Sequence, residues 1–288
     1  VVIRSIGVIG SGTMGGGIAQ VAAQSGFDVQ LCDIRQDLLD KAIANISGFI
    51  YRAAEKGRIS KEEALDTLQR IKTTTSLNDL TACDVVIEAA PEDIDLKRDL
   101  FGQLDNTVRP NAILATNTST LSVTQIAAAT QNAGRVAGMH FFNPAPLMPL
   151  VEVVAGALTD EQTVNIISEV ARTMGKTPIR AKDVPGFIVN RVARPFTLEA
   201  LRLLEEGVAD HATIDKLVRQ GGGFKMGPFE LMDLIGLDIN FAASKSVYEA
   251  SFHEPRYRPS LLQQRMVESG HLGRKTGRGW YDYSEGMK

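Results

Sequence analysis

Cysteine is scarce. With only Cys32 and Cys83 in 288 residues, and no Cys-x-x-Cys pair, the chain offers neither a disulfide framework nor a structural zinc site. An excess of charge is also missing. Lys and Arg number 31 against 34 Asp and Glu, a formal net charge of −3, which argues against nucleic acid or an anionic membrane as partner. No apolar run approaches the length of a membrane span, and no basic segment with a signal-type apolar stretch precedes the first strand pattern. Histidine is rare too: His140 is the only one before residue 184, and no cluster with metal-ligand spacing is found, so no metal is expected. These absences point to a reducing, cytoplasmic setting. What is present, 44% hydrophobic and 23% charged residues, is the composition of a soluble globular protein long enough for one large domain or two ordinary ones.

The most informative stretch is Ser5 to Ala19. Ile6 to Ile9 reads as a buried strand and runs straight into Gly10-Ser11-Gly12-Thr13-Met14-Gly15, after which a helical pattern begins at Ile18. Strand, glycine turn and helix in this order form the phosphate seat of a dinucleotide-binding βαβ unit. Gly10 permits the turn, Gly12 leaves the backbone open to a pyrophosphate, and Gly15 lets the helix pack closely on the strand. The helix N-terminus then offers free N–H groups and a partial positive charge. A lone glycine turn is also compatible with a purely structural role. A second strand, Phe27 to Asp33, adds context, because it ends in an acid 18 residues after Gly15, where a carboxylate accepts the adenosine ribose hydroxyls. Asp33 favours NAD, and nearby Arg35 keeps NADP as the less favoured alternative.

A helical hairpin follows, over about residues 36–70, broken at Gly57-Arg58-Ile59 and restarted by the capping box Ser60 to Glu63. Arg52 and Lys56 lie on it, either as a solvated charged face or as a basic face for the phosphates of a large anionic substrate. Strands are then expected at residues 84–90, 112–116, 135–142, 150–154 and 177–180, with helices at about 94–104 and 160–174 and a capping box from Ser122 to Gln125. This alternation predicts an α/β, Rossmann-type, mainly parallel doubly wound sheet over residues 1–184. Beyond Lys182-Asp183-Val184-Pro185-Gly186 only helical patterns occur: Phe187–Glu206, kinked at Pro195, and about residues 212–219, 228–248 and 259–268, with Gly221-Gly222-Gly223 as a loop. Residues 185–288 are therefore expected to form an all-helical C-terminal domain, the candidate substrate and dimerisation domain. Its apolar faces (Leu231, Leu234, Ile235, Leu237, Ile239, Phe241) suggest partial burial in a homodimer. Met148, Met226, Phe229 and Met232 are read either as core or as lining for an acyl tail.

Ligands of open α/β sheets bind beyond the carboxyl ends of the strands. That rule groups Asp33, Glu88, Glu92, Asn117 to Ser119, His140 and Asn143. His140, before two aromatics and two prolines, suits proton exchange with an alcohol near neutral pH. If Pro144 to Pro149 turns the chain back, Glu152 meets it and holds the imidazole, as the carboxylate does in a catalytic triad. A structural histidine is the alternative on residue type alone.

Five segments taken together resemble one family: Gly10-Ser-Gly-Thr-Met-Gly15, Asn117-Thr-Ser119, His140-Phe-Phe-Asn-Pro144, Pro185-Gly-Phe-Ile-Val-Asn-Arg191, and Lys225 to Asp238, with Gly273 to Tyr281 beyond them. The order and content are similar to the 3-hydroxyacyl-CoA dehydrogenases, and the length is nearest their bacterial 3-hydroxybutyryl-CoA branch. The resemblance implies reversible, NAD-dependent oxidation of a (3S)-hydroxyacyl-CoA to the 3-ketoacyl-CoA. It implies His140 as the catalytic histidine with Glu152 as its partner. Ser119 then stands between substrate oxygen and nicotinamide, and Asn190 orients the substrate. Gly10, Ser11, Gly12, Thr13, Met14, Gly15, Asp33, Glu92, Lys97, Ser119, Asn143 and Lys275 hold the cofactor. Arg52, Lys56, Ser119, Asn143 and Asn190 meet the acyl-CoA. One departure is Phe49, which stands where some relatives place a polar CoA contact. Two other readings are a dehydrogenase of small free 3-hydroxy acids, whose sites use a lysine, and a non-catalytic structural relative. The segment His140-Phe-Phe-Asn-Pro144 argues against the first, and intact Ser119, His140, Glu152 and Asn190 argue against the second.

Overall fold

Eight strands form one sheet, ordered β3-β2-β1-β4-β5-β6-β7-β8. They are β1 (Ser5–Ile9), β2 (Asp28–Cys32), β3 (Ile71–Thr74), β4 (Val85–Glu88), β5 (Ile113–Thr116), β6 (Val136–Phe141), β7 (Leu150–Ala155) and β8 (Thr177–Lys182). All neighbours pair in parallel except β6 and β7. The strand order reverses on either side of β1, which makes the carboxyl ends of β1 and β4 the ligand crevice of this topology. The computed structural model describes residues 2–284, and the chain divides into two compact units, Val1–Val184 and Pro185–Lys288.

In the first unit, alternate strand residues pack on opposite faces of the sheet. Ile6, Val8, Val85 and Ile87 share one core with Ile18 and Ala22 of α1 (Thr13–Gln24) and Ile167 and Val170 of α6 (Glu161–Thr173). Val86, Leu114 and Val136 pack on the other face with Phe101 and Leu104 of α4 (Ile94–Thr107) and Ile126 of α5 (Val123–Ala127). Each fully buried side chain of this size contributes roughly 1.5–3 kcal/mol, so the strand ends are held on a rigid base. The hairpin, α2 (Gln36–Glu55) and α3 (Lys61–Gln69), closes over its own small cluster of Ile46, Ile50 and Ala64. Its capping box forms, with Ser60 Oγ accepting from Glu63 N and Glu63 Oε2 accepting from Ser60 N. The box expected at Ser122 is only half there. Ser122 Oγ accepts from Gln125 N, but the hydroxyl donates to Asp183, whose carboxylate also accepts from Val123 N and Thr124 N.

Two sequence expectations are corrected in this unit and the next. The sheet has one strand more than the pattern suggested. β3 is four residues long, lies at the sheet edge and buries only Thr74, so it carries almost no hydrophobic signal. In the second unit the single helix expected over 228–248 is two, α9 (Pro228–Ile235) and α10 (Leu237–Ala250), because Gly236 takes φ +101° between them. Gly221 and Gly222 belong to α8 (His211–Gly222), and only Gly223, left-handed at φ 71°, ends it.

The helical unit also contains α7 (Val189–Glu205), which runs through Pro195, and α11 (Leu261–Glu268). Its core is Leu198, Leu201, Phe229, Met232 and Leu237, so Phe229 and Met232 are structural rather than tail-lining. Two buried acids tie its loops. Asp215 accepts from Phe229 N, Glu230 N and the Tyr281 hydroxyl, and Asp233 accepts from Trp280 N, Tyr281 N and the Tyr283 hydroxyl. The Lys225–Asp238 segment thus includes one acid, Asp233, that serves folding.

Candidate active site

The glycine turn is shaped by backbone geometry. Gly10 has φ +91°, and a Cβ there would lie 2.6 Å from the Ala89 carbonyl oxygen. A Cβ on Gly15 would lie 1.7 Å from the Gly10 carbonyl oxygen. At Gly12 the added Cβ would meet nothing within 4 Å, so this residue faces open space. Gly12 caps α1 without any side-chain bond to the first-turn amides, and the first turn contains no acid. The N–H groups there are available to an anion. Asp33 Oδ2 accepts from both Ser11 N and Ser11 Oγ at 2.7 Å, which ties the end of β2 to the turn and leaves Oδ1 on its other side. Arg35, the residue that would welcome a 2′-phosphate, is turned onto Asp37 through Nε and Nη2.

A buried polar chain crosses the ends of β4 and β5. Glu88 is fully buried; Oε1 accepts from Lys97 Nζ at 2.5 Å and Ala90 N at 2.6 Å, and Oε2 from Thr116 Oγ1 at 2.7 Å. Lys97 also stands 3.5 Å from Glu92. Glu92 Oε1 in turn accepts from Thr118 Oγ1 at 2.6 Å and from Ser119 N at 2.9 Å, so the backbone of the Ser119 loop is fixed by an acid on the next strand end. Asn117 carries the chain across to β6, its Oδ1 accepting from Phe141 N at 2.8 Å.

Phe141 adjoins His140. The antiparallel register pairs His140 with Glu152, and Nδ1 lies 2.7 Å from Oε2. Both side chains are buried, at 5% and 1% exposure, and the Phe142 ring stands 4.6 Å from the imidazole. The turn between these strands is braced by a residue that sequence reasoning missed. Lys176, 8% exposed, donates to the carbonyls of Ala145 at 2.6 Å and Met148 at 3.0 Å, and burial lowers its pKa. A lysine before a strand carries no motif, so only the fold shows its partners.

Residues 5–184 match the profile described as the 3-hydroxyacyl-CoA dehydrogenase NAD binding domain, and residues 186–283 match the C-terminal domain of the same family. The chain belongs to the 3-hydroxyacyl-CoA dehydrogenase family. A 3-hydroxyadipyl-CoA dehydrogenase of Escherichia coli K12 is 49% identical over 98% of this chain, which spans only 59% of that relative's length. A probable 3-hydroxybutyryl-CoA dehydrogenase of Deinococcus radiodurans is 45% identical over 96% of this chain and 99% of its own. The crystal structure of (S)-3-hydroxybutyryl-CoA dehydrogenase from Ralstonia eutropha superposes with a TM-score of 0.94 at 43% identity, covering 98% of this chain and 99% of that one. Like its relatives, this chain is an NAD-dependent oxidoreductase.

The residues fit NAD: an uncapped, acid-free helix N-terminus, open space at Gly12, and an acid whose neighbouring arginine is occupied by Asp37. Among other residues that a dehydrogenase of this family would use, Ser119 is half-buried and Asn143 exposed. Lys97 is 1% exposed, so any hold on the cofactor passes through Glu92 and Ala90 rather than through a free ammonium. On the hairpin, Arg52 and Lys56 are exposed, and the Arg52 guanidinium stacks 5.0 Å over the Phe49 ring. In the helical unit, Asn190 is half-buried on the first turn of α7, and Lys275 Nζ donates to both carboxylate oxygens of Asp238 at 2.6 Å. Among the described residues no helix is long and apolar enough to cross a membrane, and no group of acids, histidines and cysteines forms a metal site.

Proposed function

We propose that this chain oxidises a (3S)-3-hydroxyacyl-CoA, of which 3-hydroxybutyryl-CoA is the simplest candidate, to the 3-ketoacyl-CoA, reversibly. The observation that carries the reading is the buried His140–Glu152 pair at 2.7 Å on β6 and β7, in the same sheet as the cofactor crevice and separated from β4 by β5. NAD, when bound at the Gly10–Gly15 turn with Asp33, supplies the acceptor for the C3 hydride. With Nδ1–H donated to Glu152, His140 is held in the tautomer whose Nε2 is basic, and that nitrogen takes the 3-hydroxyl proton. Glu152 stabilises the imidazolium that results. Ser119, its loop held by Glu92, and Asn190 hydrogen-bond the reacting oxygen and the thioester and fix the approach. Glu92, Lys97, Asn143 and Lys275 complete the cofactor site, directly or through their partners. Arg52 and Lys56 meet the CoA phosphates. The helical unit joins two copies into a homodimer; exposed Leu234, Ile235 and Ile239 support this, and a monomer in sedimentation at micromolar concentration would refute it.

The test is His140→Gln. General-base action is worth roughly 10²–10⁴-fold, so acetoacetyl-CoA reduction should fall by that much while NADH still binds. Turnover within a factor of about two of wild type would overturn the assignment. The name of the Escherichia coli relative raises a second substrate, an acyl chain that itself ends in a carboxylate.

A further inference from the structure

Arg194 lies on α7 one turn beyond Asn190, and residues four apart on a helix face the same way. Its side chain is 4% exposed. Nη1 donates to the Asn240 carbonyl at 2.9 Å and more distantly to Ser244 Oγ at 3.4 Å. Nε is buried with no acceptor. Of the other buried cations, Lys97 has Glu88 and Arg135 has Asp105, the latter at 2.7 Å, while the Lys176 ammonium donates to two backbone carbonyls. Among the described ion pairs Arg194 has none, and burial alone draws its pKa down to about 10. The orphan atoms continue beside it. Gln263 Nε2 donates to Asn240 Oδ1 at 2.9 Å, yet Asn240 Nδ2 and Gln263 Oε1 are both unpartnered.

A guanidinium presents N–H groups in a planar fork that matches the two oxygens of a carboxylate. Here Nη1 is committed to α10, and Nε has no acceptor. A buried, uncompensated cation of this kind costs stability unless an anion completes it. We propose that Arg194 is a specificity-determining residue whose guanidinium, through the unpaired Nε, binds the terminal carboxylate of a 3-hydroxy-dicarboxyl-CoA. The inference rests on the dehydrogenase reading, in which Asn190 orients the reacting end of the acyl chain. One helical turn, about 5.4 Å, separates the two residues along α7, a span that a short acyl chain bridges from its reacting carbon to its far end. A plain alkyl end would leave Nε unpaired.

The experiment compares 3-hydroxyadipyl-CoA with 3-hydroxyhexanoyl-CoA, equal in chain length and different only in the terminal group, using the full-length protein and NAD. Hydrogen bonds to a charged partner support a preference of about 10- to 100-fold in kcat/KM for the dicarboxylic substrate. In Arg194→Met that ratio should fall at least about tenfold, and in Arg194→Lys, which keeps the charge without the fork, it should fall part of the way. A wild-type ratio near one, or a ratio that Arg194→Met leaves in place, would overturn the proposal. So would a chloride-dependent rise in melting temperature that Arg194→Met abolishes while the wild-type ratio stays near one, the signature of a free-anion site. Because the wild-type ratio is itself decisive, a variant that fails to fold does not rescue the idea. Failure to oxidise either substrate would instead sink the dehydrogenase reading.

Discussion

Glu152→Gln removes one charge and keeps the shape. Glu152 sits 2.7 Å from His140 Nδ1, and both groups are almost fully buried. When His140 holds the 3-hydroxyl proton it is a cation beside that carboxylate. At a charge separation of about 4 Å and an effective dielectric of about 20, the attraction is about 4 kcal/mol. The ground state, with neutral imidazole, keeps only a hydrogen bond, so most of the difference appears in the barrier. Discounting up to half of it for the amide dipole that replaces the charge leaves about 2–4 kcal/mol, or roughly 30- to 1,000-fold in turnover. The assay is steady-state reduction of acetoacetyl-CoA, with NADH affinity measured separately by fluorescence titration. Turnover should fall by that factor while the NADH dissociation constant stays within about threefold, because the glycine turn lies on different strand ends. Unchanged turnover would mean that Glu152 only fills space next to His140. A matching loss of NADH affinity would mean that the substitution disturbs the sheet rather than the chemistry.

The cofactor turn and the stability of the sheet each have a direct test. Gly12→Val adds a side chain whose Cβ meets no protein atom within 4 Å, so the fold should keep its thermal midpoint while NADH affinity, read by the same titration, falls more than about tenfold; unaltered affinity would show that the pyrophosphate does not lie over Gly12. Asp84, at the opposite end of the sheet, tests stability against pH. Burial pushes its pKa up, but hydrogen bonds from Arg4 N, Ser5 N and Ser5 Oγ and the Arg109 contact outweigh this and hold it below the ordinary value. The stabilisation is therefore present above the unfolded value of about 3.9 and lost as pH falls through the lower folded one. Asp84→Asn should cost about 1–3 kcal/mol in urea denaturation at pH about 7 and nothing measurable below both values; an equal deficit in acid would refute the linkage.

Much of the first unit was legible because its signals are local. The Gly10–Gly15 turn, the apolar strands and the acid at Asp33 each carry their meaning within a few residues. β3 was invisible because Ile71–Thr74 spends two of its four side chains on solvent, and Gly236 was hidden inside a helical pattern whose periodicity continues on both sides of it. Residue types at the site were equally legible, but their partners were not. That His140 and Glu152 face each other depends on the antiparallel return of β7, and that return is braced by Lys176, which lies more than twenty residues beyond Glu152 and has no motif.

The buried charges make the same point energetically. Lys97 reads from sequence as a cation available to a ligand, yet its ammonium lies in a chain with Glu88 and Thr116 under the ends of β4 and β5. Taking either partner of such a pair away leaves a buried charge uncompensated, at a cost of about 3–5 kcal/mol. Loss of activity in a Lys97 variant is therefore poor proof of cofactor contact, since the Ser119 loop is bound to the same network through Glu92. Arg194 is the opposite case. Its charge is buried without an anion, so nothing among the described ion pairs of the helical unit accounts for it. A ligand that brings the missing charge is the economical explanation, and the ratio between two acyl chains that differ only in a terminal carboxylate reads that charge directly.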